Sequence, residues 1–325
     1  MYEKIKEVID TYDDFIITSH ISPDCDAIGS EIAFFLYLKS KNKSARIINV
    51  SETPENFIFL DKNRVIEVYN HEIHDGVIKN SNAIFVLDTN DYQRLREMSD
   101  AVKSSDAMKI CIDHHEGLNE KDFDYFISDT SSPATGEILY DYFASLDKKI
   151  INKEIAEGLY TAIMTDTGSF KFARTTPKTH RIAAELLEYG LNPFEIYSEI
   201  YNNSTPNKLK LLSCFLESIK YAGDKTAYSS LSKSDFEKSS TVEQDSDGFT
   251  SYIMTLKDIE LGIIFLETPK GIKISFRSKS YVPVNKLAKE FGGGGHINAA
   301  GAFITDCSLE ETINSVLTKS KNFIN

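Results

Sequence analysis

Acidic and imidazole side chains follow three short apolar segments in the first half of the sequence. FIITSH ends on His20, AIFVLD ends on Asp88, and KICIDHH ends on Asp113, His114 and His115. Carboxylates and imidazoles bind divalent cations, act as general acids and bases, and orient one another by hydrogen bonds. Their repeated occurrence at the ends of apolar segments predicts one shared site.

Three further carboxylates extend this set. Asp24 and Asp26 follow His20 in HISPDCDAIGS, and Asp166 ends the helical pattern of TAIMTDTGSF. Taken alone, such an Asp is more often a helix cap or a turn former. Together, these clustered carboxylates would repel one another unless divalent cations lay among them and the imidazoles. Oxygen and nitrogen ligands without thiolate favour Mn²⁺ or Mg²⁺, with Fe²⁺, Co²⁺ and Zn²⁺ left open.

Hydrophobic periodicity indicates the elements that position these residues. Apolar strand-like segments alternate with helical patterns through the first half, which predicts an α/β fold with a mostly parallel sheet covered by helices. In such sheets the carboxyl ends of the strands share one edge, where ligands bind. From about residue 222 the pattern changes to that of a smaller α+β domain. We therefore predict a first domain at 1–190 that carries these residues, a helical linker at 191–221 and a second domain at 222–325.

The charge is distributed unevenly. The 325 residues carry a net charge of −13, and residues 226–325 hold 11 Lys and Arg against 12 Asp and Glu. The acidic excess therefore lies in the first 225 residues, which makes the protein a poor general binder of long nucleic acid. A short anionic ligand remains compatible with it if cations lie between ligand and protein.

Neither a signal peptide nor a membrane span is predicted. The N-terminus lacks a basic start followed by an apolar stretch, and the apolar segment IAFFLYL is too short to cross a bilayer. The four cysteines are scattered without a CxxC pair. Such spacing favours reduced thiols and a cytoplasmic location.

The order and spacing of these motifs resemble the DHH phosphoesterase superfamily. The motifs are His20-x-x-x-Asp24-x-Asp26, Asp88, Asp113-His114-His115 and Asp166. GIKISFRSKS and FGGGGHINAAG, at 291–301, resemble its DHH-associated type 1 domain. That second domain argues against family II pyrophosphatases, and the length and absence of added segments argue against RecJ and membrane-bound cyclic-dinucleotide enzymes. What remains is a resemblance to the nano-RNase/pAp phosphatases, and it covers nearly the whole chain.

The resemblance implies two divalent metal ions, most consistent with Mn²⁺, in a cleft between the domains. It places one metal on His20, Asp24 and Asp88, and the other on Asp26, Asp88, His114 and Asp166, with Asp88 bridging. It implies that Asp113 orients the ligand His114. It further implies that His115 faces the substrate phosphate or protonates the leaving oxygen.

The resemblance also implies substrate-binding residues. Arg277 and His296 are expected to bind a terminal phosphate or a base, and the glycines permit close backbone approach to an anion. Arg94 and the helix start at Ser132 are further phosphate candidates. The complete set is Arg94, Ser132, Arg277, Gly293, Gly294, Gly295 and His296.

The function implied is an Mn²⁺-dependent phosphoesterase that degrades very short RNA and removes the 3′-phosphate from pAp. The alternative within the same chemistry is a phosphodiesterase for cyclic dinucleotides such as c-di-AMP, or for linear products such as pApA. A non-catalytic nucleotide-binding module would predict gaps in the ligand set, and the sequence has none. The physiological metal and the direction of digestion stay open, and a homodimer is compatible with the sequence.

Overall fold

A computed structural model of the chain describes residues 2–279, 282–295 and 297–324. The chain divides into two compact units, Met1–Asn203 and Ser204–Asn325. The division falls inside the segment 191–221 that the sequence assigns to a helical linker. The helix before it belongs to the first unit and the helix after it to the second.

The first unit contains a six-stranded parallel sheet with helices on both faces. Its strands are β1 (Asp14–Thr18), β2 (Ser44–Asn49), β3 (Ile66–Val68), β4 (Ala83–Leu87), β5 (Met108–Asp113) and β6 (Tyr125–Ser128). Its helices are α1 (Glu3–Thr11), α2 (Cys25–Ser40), α3 (His71–Asn80), α4 (Ser99–Ser104), α5 (Thr135–Leu146), α6 (Lys153–Asp166), α7 (Pro177–Leu187) and α8 (Pro193–Tyr201). Short 3₁₀ helices span Glu55–Phe57, Tyr92–Met98, Glu120–Asp122 and Lys148–Ile150.

The strand order β3-β2-β1-β4-β5-β6 reverses direction between β1 and β4. All five residues of β4 are buried and apolar, and the strand pairs in parallel with β1 and β5. Helices can cover both faces of such a strand only if it has no polar side. A reversal in strand order opens a crevice at the carboxyl ends of the two central strands. Asp88 directly follows β4 and His20 lies two residues beyond β1, so the fold brings them together.

Helices α2 and α6 pack closely on one side of the sheet. A Cβ added to Gly158 of α6 would lie 2.7 Å from the carbonyl oxygen of Gly29 on α2, and a Cβ added to Gly29 would collide with the carbonyl oxygen of Gly158. The two backbones can approach this closely only because both positions lack a side chain. Helix α2 begins beside Asp24 and Asp26, and α6 ends on Asp166.

The second unit is a mixed sheet with helices, as the sequence predicts for the smaller domain. Its strands are β7 (Lys220–Tyr221), β8 (Thr226–Leu231), β9 (Leu261–Thr268), β10 (Gly271–Ser278), β11 (Gly294–Gly295) and β12 (Ala299–Ile304), in the order β11-β12-β10-β9-β8-β7. Among the described strands of this second sheet, only β8 and β9 pair in parallel, and the other pairs are antiparallel. Its helices are α9 (Pro206–Glu217), α10 (Lys233–Ser239), α11 (Thr250–Met254), α12 (Val284–Lys289) and α13 (Leu309–Ser320), with a 3₁₀ turn at Glu243–Ser246.

Each face of this second sheet has its own apolar core. Phe276 and Ile274 of β10 pack with Val316 of α13 in one cluster, and Ile264 of β9 packs with Phe215 of α9 in the other. Across the described parts of the chain, no helix combines the length and apolar character that crossing a membrane requires.

Candidate metal centre

His20 lies two residues beyond β1 and is 3% exposed. Its Nδ1 lies 2.8 Å from the carbonyl oxygen of Ile21, and its Nε2 lies 3.4 Å from Oδ2 of Asp88. A proton on Nδ1 donated to that carbonyl leaves the lone pair on Nε2, the tautomer that a metal-binding histidine needs. The Ile21 amide donates to the carbonyl of Arg94 at 2.8 Å, which fixes this turn.

Asp88 occupies the centre of the cluster. It is 1% exposed and has a φ of 57°, in the left-handed region that non-glycine residues seldom adopt. Its Oδ1 accepts a hydrogen bond from Thr135 Oγ1 at 3.0 Å and lies 3.4 Å from Nε2 of His114. The two carboxylate oxygens thus face different imidazoles, and such an arrangement suits a carboxylate shared by two cations.

Asp24 and Asp26 stand at the start of α2 in different environments. Asp24 is exposed and caps the helix, accepting from the amides of Asp26 at 2.9 Å and Ala27 at 3.1 Å. Asp26 is 1% exposed and accepts from the amides of Thr135 at 2.7 Å and Gly136 at 2.9 Å. The sequence predicts that amides at the start of α5 face a substrate phosphate. In the structure the Asp26 carboxylate already accepts hydrogen bonds from two of these amides.

His114 and His115 follow β5 and have different partners. His114 Nε2 lies 3.4 Å from Asp88 Oδ1, 3.4 Å from Asp166 Oδ2 and 3.7 Å from Asp26 Oδ2. Its Nδ1 lies 3.3 Å from the carbonyl oxygen of Ser132. His114 therefore presents one nitrogen to three carboxylates, as a ligand imidazole would.

Asp113 is fully buried and holds His115. Its Oδ1 lies 2.7 Å from His115 Nδ1, and its Oδ2 accepts from the His115 amide at 3.0 Å. The resemblance assigns Asp113 to orienting His114, but the structure places its carboxylate on His115 instead. The reason is local, because His115 follows Asp113 by two positions and its amide and ring nitrogen both lie within hydrogen-bond distance of that carboxylate. The same Nδ1 of His115 lies 3.8 Å from Asp88 Oδ1.

Asp166 completes the cluster from the last residue of α6, with its side chain 34% exposed. Three groups of ligand atoms each lie within 4.8 Å of one another: His20, Asp24 and Asp88; Asp26, His114 and Asp166; and Asp88, His114 and His115. The first two correspond to the predicted metal sets, except that the second contains no Asp88. The third adds His115 to the residues that could hold a cation.

The electrostatics of the cluster favour bound positive charge. Burial raises the pKa of Asp26 well above its usual range, with Asp88 adding to the effect, and burial raises the pKa of Asp166 to about 7. Burial opposes the charged form of His114, yet Asp88 and Asp26 raise the pKa of His114 to about 10. Burial also opposes ionisation of Asp88, but its hydrogen bonds to His114 and His20 lower the pKa of Asp88 well below its usual range. Divalent cations would neutralise these carboxylates without bound protons, so the donor set fits them.

The candidates for substrate binding in the first unit differ in what they contact. Arg94 is half-buried, and its positive charge opposes protonation of the His20 ring. Within residues 2–279, 282–295 and 297–324, Arg94 forms no ion pair. Ser132 is buried, and its hydroxyl donates to the carbonyl of Ala134 at 3.0 Å while its own carbonyl faces His114. In the structure Ser132 therefore contacts the His114 ring through its carbonyl, and its hydroxyl is hydrogen-bonded within its own loop.

In the second unit, Arg277 on β10 is half-buried and its Nη1 donates to the Phe276 carbonyl at 2.9 Å. Burial lowers the pKa of Arg277, and the charge of Asp247 opposes that shift. His296 lies outside the described residues.

The predicted glycines of the second unit are explained by strand packing. A Cβ on Gly293 would lie 2.8 Å from the Cα of Ala302 and would collide with the carbonyl oxygen of Gly301. Gly295 has a φ of 138°, and a Cβ there would lie 2.5 Å from the carbonyl oxygen of Ala299. Gly294 has open space around it. Two of the three glycines are thus required by the approach of β11 to β12.

Two polar residues near the cluster were not predicted from the sequence. Asn90 donates to Asp113 Oδ2 at 2.8 Å and to the His115 carbonyl at 3.0 Å, and Thr135 donates to Asp88. Asn90 follows Asp88 by two positions, a spacing that carries no recognisable signal. Only the folded arrangement shows that these side chains fix the carboxylates.

Known protein families match both units. Residues 14–163 match the model described as "DHH family, N-terminal domain", and residues 224–325 match the DHHA1 domain. The "Bifunctional oligoribonuclease and PAP phosphatase NrnA" of Thermus thermophilus is 30% identical over 301 residues, which cover 93% of this chain and 87% of that protein. The protein of the same name from Bacillus subtilis is 28% identical over 309 residues, covering 94% and 93%.

Solved structures share the fold. An exopolyphosphatase-related protein from Bacteroides fragilis superposes with a TM-score of 0.94 and 32% identity, covering 99% of this chain and 96% of that one. The exonuclease RecJ bound to manganese has a TM-score of 0.54 at 11% identity, covering 99% and 94%. The second likeness concerns the fold alone.

Proposed function

This chain belongs to the DHH family, and from that membership we propose that it is a metal-dependent phosphoesterase acting on very short RNA and on pAp. Short RNA is degraded to mononucleotides, and pAp loses its 3′-phosphate to give AMP. The observation that carries the proposal is the match of both domains, over more than nine-tenths of the chain, to enzymes named oligoribonuclease and PAP phosphatase. The buried cluster of carboxylates and imidazoles supplies the chemistry that such enzymes need.

Two divalent cations, most consistent with Mn²⁺, are part of the proposal. His20, Asp24 and Asp88 would hold one, and Asp26, His114 and Asp166 would hold the other with Asp88 shared between them. When bound, such cations activate water and neutralise phosphate charge. The raised pKa values of Asp26 and Asp166 support this assignment, since they mark a buried and a partly buried carboxylate that need positive charge nearby.

The protein's own residues would position the substrate and move one proton. Asp113 holds the His115 ring through Nδ1, and we assign Nε2 to protonating the leaving oxygen. His115 suits this work because its side chain is 20% exposed, whereas that of His114 is 6% exposed. Arg94, Arg277 and His296 are assigned to the substrate's phosphates and bases.

The remaining parts of the proposal concern setting and assembly. Short RNA oligonucleotides and small adenine nucleotides are the partners that fit an acidic first unit. A cytoplasmic location fits the four free cysteines, two of which are buried. A homodimer is retained as the assembly to test by light scattering.

The metal requirement gives the direct test. EDTA is expected to abolish hydrolysis of an RNA dinucleotide, and Mn²⁺ to restore it. Asp88→Asn should lose bound metal and at least roughly a hundredfold in kcat/KM, because ligand loss exceeds the cost of losing an outer hydrogen bond. Asp106→Asn is the matched control, since Asp106 is exposed and belongs to none of the ligand groups. Wild-type rate and metal content in Asp88→Asn would refute the assignment.

A further inference from the structure

The segment after Asp166 departs from the charge of its surroundings. Residues 1–203 hold 21 Lys and Arg against 35 Asp and Glu, yet residues 167–184 contain no acidic residue. The segment carries Lys171, Arg174, Lys178 and Arg181. Lys178 pairs with Glu137 and Asp141, whereas the other three are exposed and lack a carboxylate partner among the described residues. The acidic first unit therefore presents a local cationic surface directly after a ligand residue.

An exposed aromatic ring lies within this cationic surface. Phe172 is 53% exposed, and Nζ of Lys171 lies 5.6 Å from its ring centroid. A single exposed aromatic residue is ordinary on a protein surface. Interleaving of exposed rings with cations, however, is the pattern by which proteins bind single-stranded nucleic acid.

A tight turn positions the backbone of Phe172, and the Phe172 ring lies against Gly168. Gly168, Ser169 and Phe170 have φ values of 58°, 59° and 67°, forming a tight left-handed turn. The Phe172 amide donates to the Thr167 carbonyl at 3.0 Å, and the Phe172 carbonyl accepts from the Thr175 amide at 2.9 Å. The ring covers Gly168 so closely that a Cβ there would lie 2.5 Å from Phe172 Cζ. A ring fixed in this way loses little entropy when it stacks on a ligand.

The same turn lies beside the metal ligands. Thr167, whose carbonyl accepts the hydrogen bond from the Phe172 amide, directly follows Asp166 in the chain. Ser169 hydrogen-bonds the hydroxyl of Tyr201. Cys25, at the start of α2, lies close enough to this hydroxyl to raise its pKa. Cys25 stands between Asp24 and Asp26, so the turn borders two ligand-bearing helix ends.

We propose that Phe172 is a stacking platform for a nucleobase of the short RNA substrate, with Lys171 and Arg174 contacting its phosphates. The inference rests on the proposed function and assigns a substrate subsite to it. Single-stranded RNA exposes base faces that aromatic rings recognise, and cations beside the ring neutralise the adjoining backbone. The competing explanation is that Phe172 only covers Gly168.

The test compares two substrates that differ only in their bases. One is the dinucleotide pApA, and the other carries the same phosphates on abasic sugars. Phe172→Ala should lower kcat/KM on pApA roughly fivefold to a hundredfold, mainly through KM, and leave the abasic compound unchanged. Phe172→Tyr should keep the wild-type values on both. Phe194→Ala is the control, because Phe194 is 72% exposed on α8 and lies outside the segment.

The outcomes separate this inference from the proposed function. An equal loss on both substrates, with a lowered melting temperature, would show a structural role only, and an unchanged KM for pApA would overturn the platform. If the wild type hydrolyses neither substrate, the proposed function fails. The inference is then decided by fluorescence anisotropy with a fluorescein-labelled RNA trimer: weaker binding by Phe172→Ala supports it, and equal Kd values for the two proteins overturn it.

Discussion

At the scale of residues, the adjacent His114 and His115 have separate surroundings. His114 turns one nitrogen to three carboxylates, and His115 is held by Asp113 through its ring and its amide. The residue types and their spacing indicated the cluster, because ligands at strand ends repeat along the chain. The partner of Asp113 could not be predicted, since it depends on the backbone conformation after β5 and on the direction of the His115 ring.

This separation predicts different losses in two variants. His114→Ala should lower the metal content of the purified protein, because it removes a nitrogen shared by two of the candidate ligand groups. His115→Ala should keep most of the metal but lose roughly a hundredfold or more in kcat, the range of general acid catalysis. Asp113→Asn should resemble His115→Ala, since it weakens the bond that fixes that ring. Metal analysis beside initial rates distinguishes them.

Equal loss of metal in His114→Ala and His115→Ala would contradict this assignment. It would mean that the group of Asp88, His114 and His115 holds a cation and that His115 is a ligand. Full activity of Asp113→Asn would show that Asp113 does not orient the His115 ring for catalysis.

At the scale of elements, apolar periodicity predicted the central strands well. FIIT and KICID lie within β1 (Asp14–Thr18) and β5 (Met108–Asp113), because fully buried parallel strands are continuous apolar segments. The contact of Asp26 with the start of α5 escaped prediction, since its partners are 109 and 110 positions away in the chain. The close contact of Gly29 on α2 with Gly158 on α6 was not predicted either, because the two glycines are far apart in the chain.

The glycine segment of the second unit gives a prediction at this scale. Gly293→Ala should lower the free energy of unfolding by about 1–3 kcal/mol, because its Cβ would push β11 away from β12. Gly294→Ala is the matched control and should change it by less than about 0.5 kcal/mol, since open space surrounds that position. Thermal melts of the two variants provide the comparison. Similar melting temperatures would show that strand packing does not explain Gly293.

At the scale of the whole molecule, composition indicated two domains and an uneven charge. Residues 204–325 hold 15 Lys and Arg against 14 Asp and Glu, a net charge of +1, so the first unit carries a net charge of −14. The boundary at 203/204 follows from which helices pack on which sheet, and local sequence does not specify that. An acidic catalytic unit with a cationic segment after Asp166 fits a short anionic substrate better than a long one.

The most direct measurement is a product-resolved assay with Mn²⁺ that compares RNA of two to five nucleotides, a 24-mer, pAp and c-di-AMP at equal concentration. The account predicts that the two- to five-mers yield mononucleotides and that pAp yields AMP. It predicts that the 24-mer reacts at least roughly tenfold more slowly, because the acidic surface disfavours long polyanions. It predicts that c-di-AMP is not the fastest substrate, since the relatives matched over most of the chain are named oligoribonuclease and PAP phosphatase. Fastest turnover of c-di-AMP, or equal rates on the 24-mer and the dinucleotide, would contradict it.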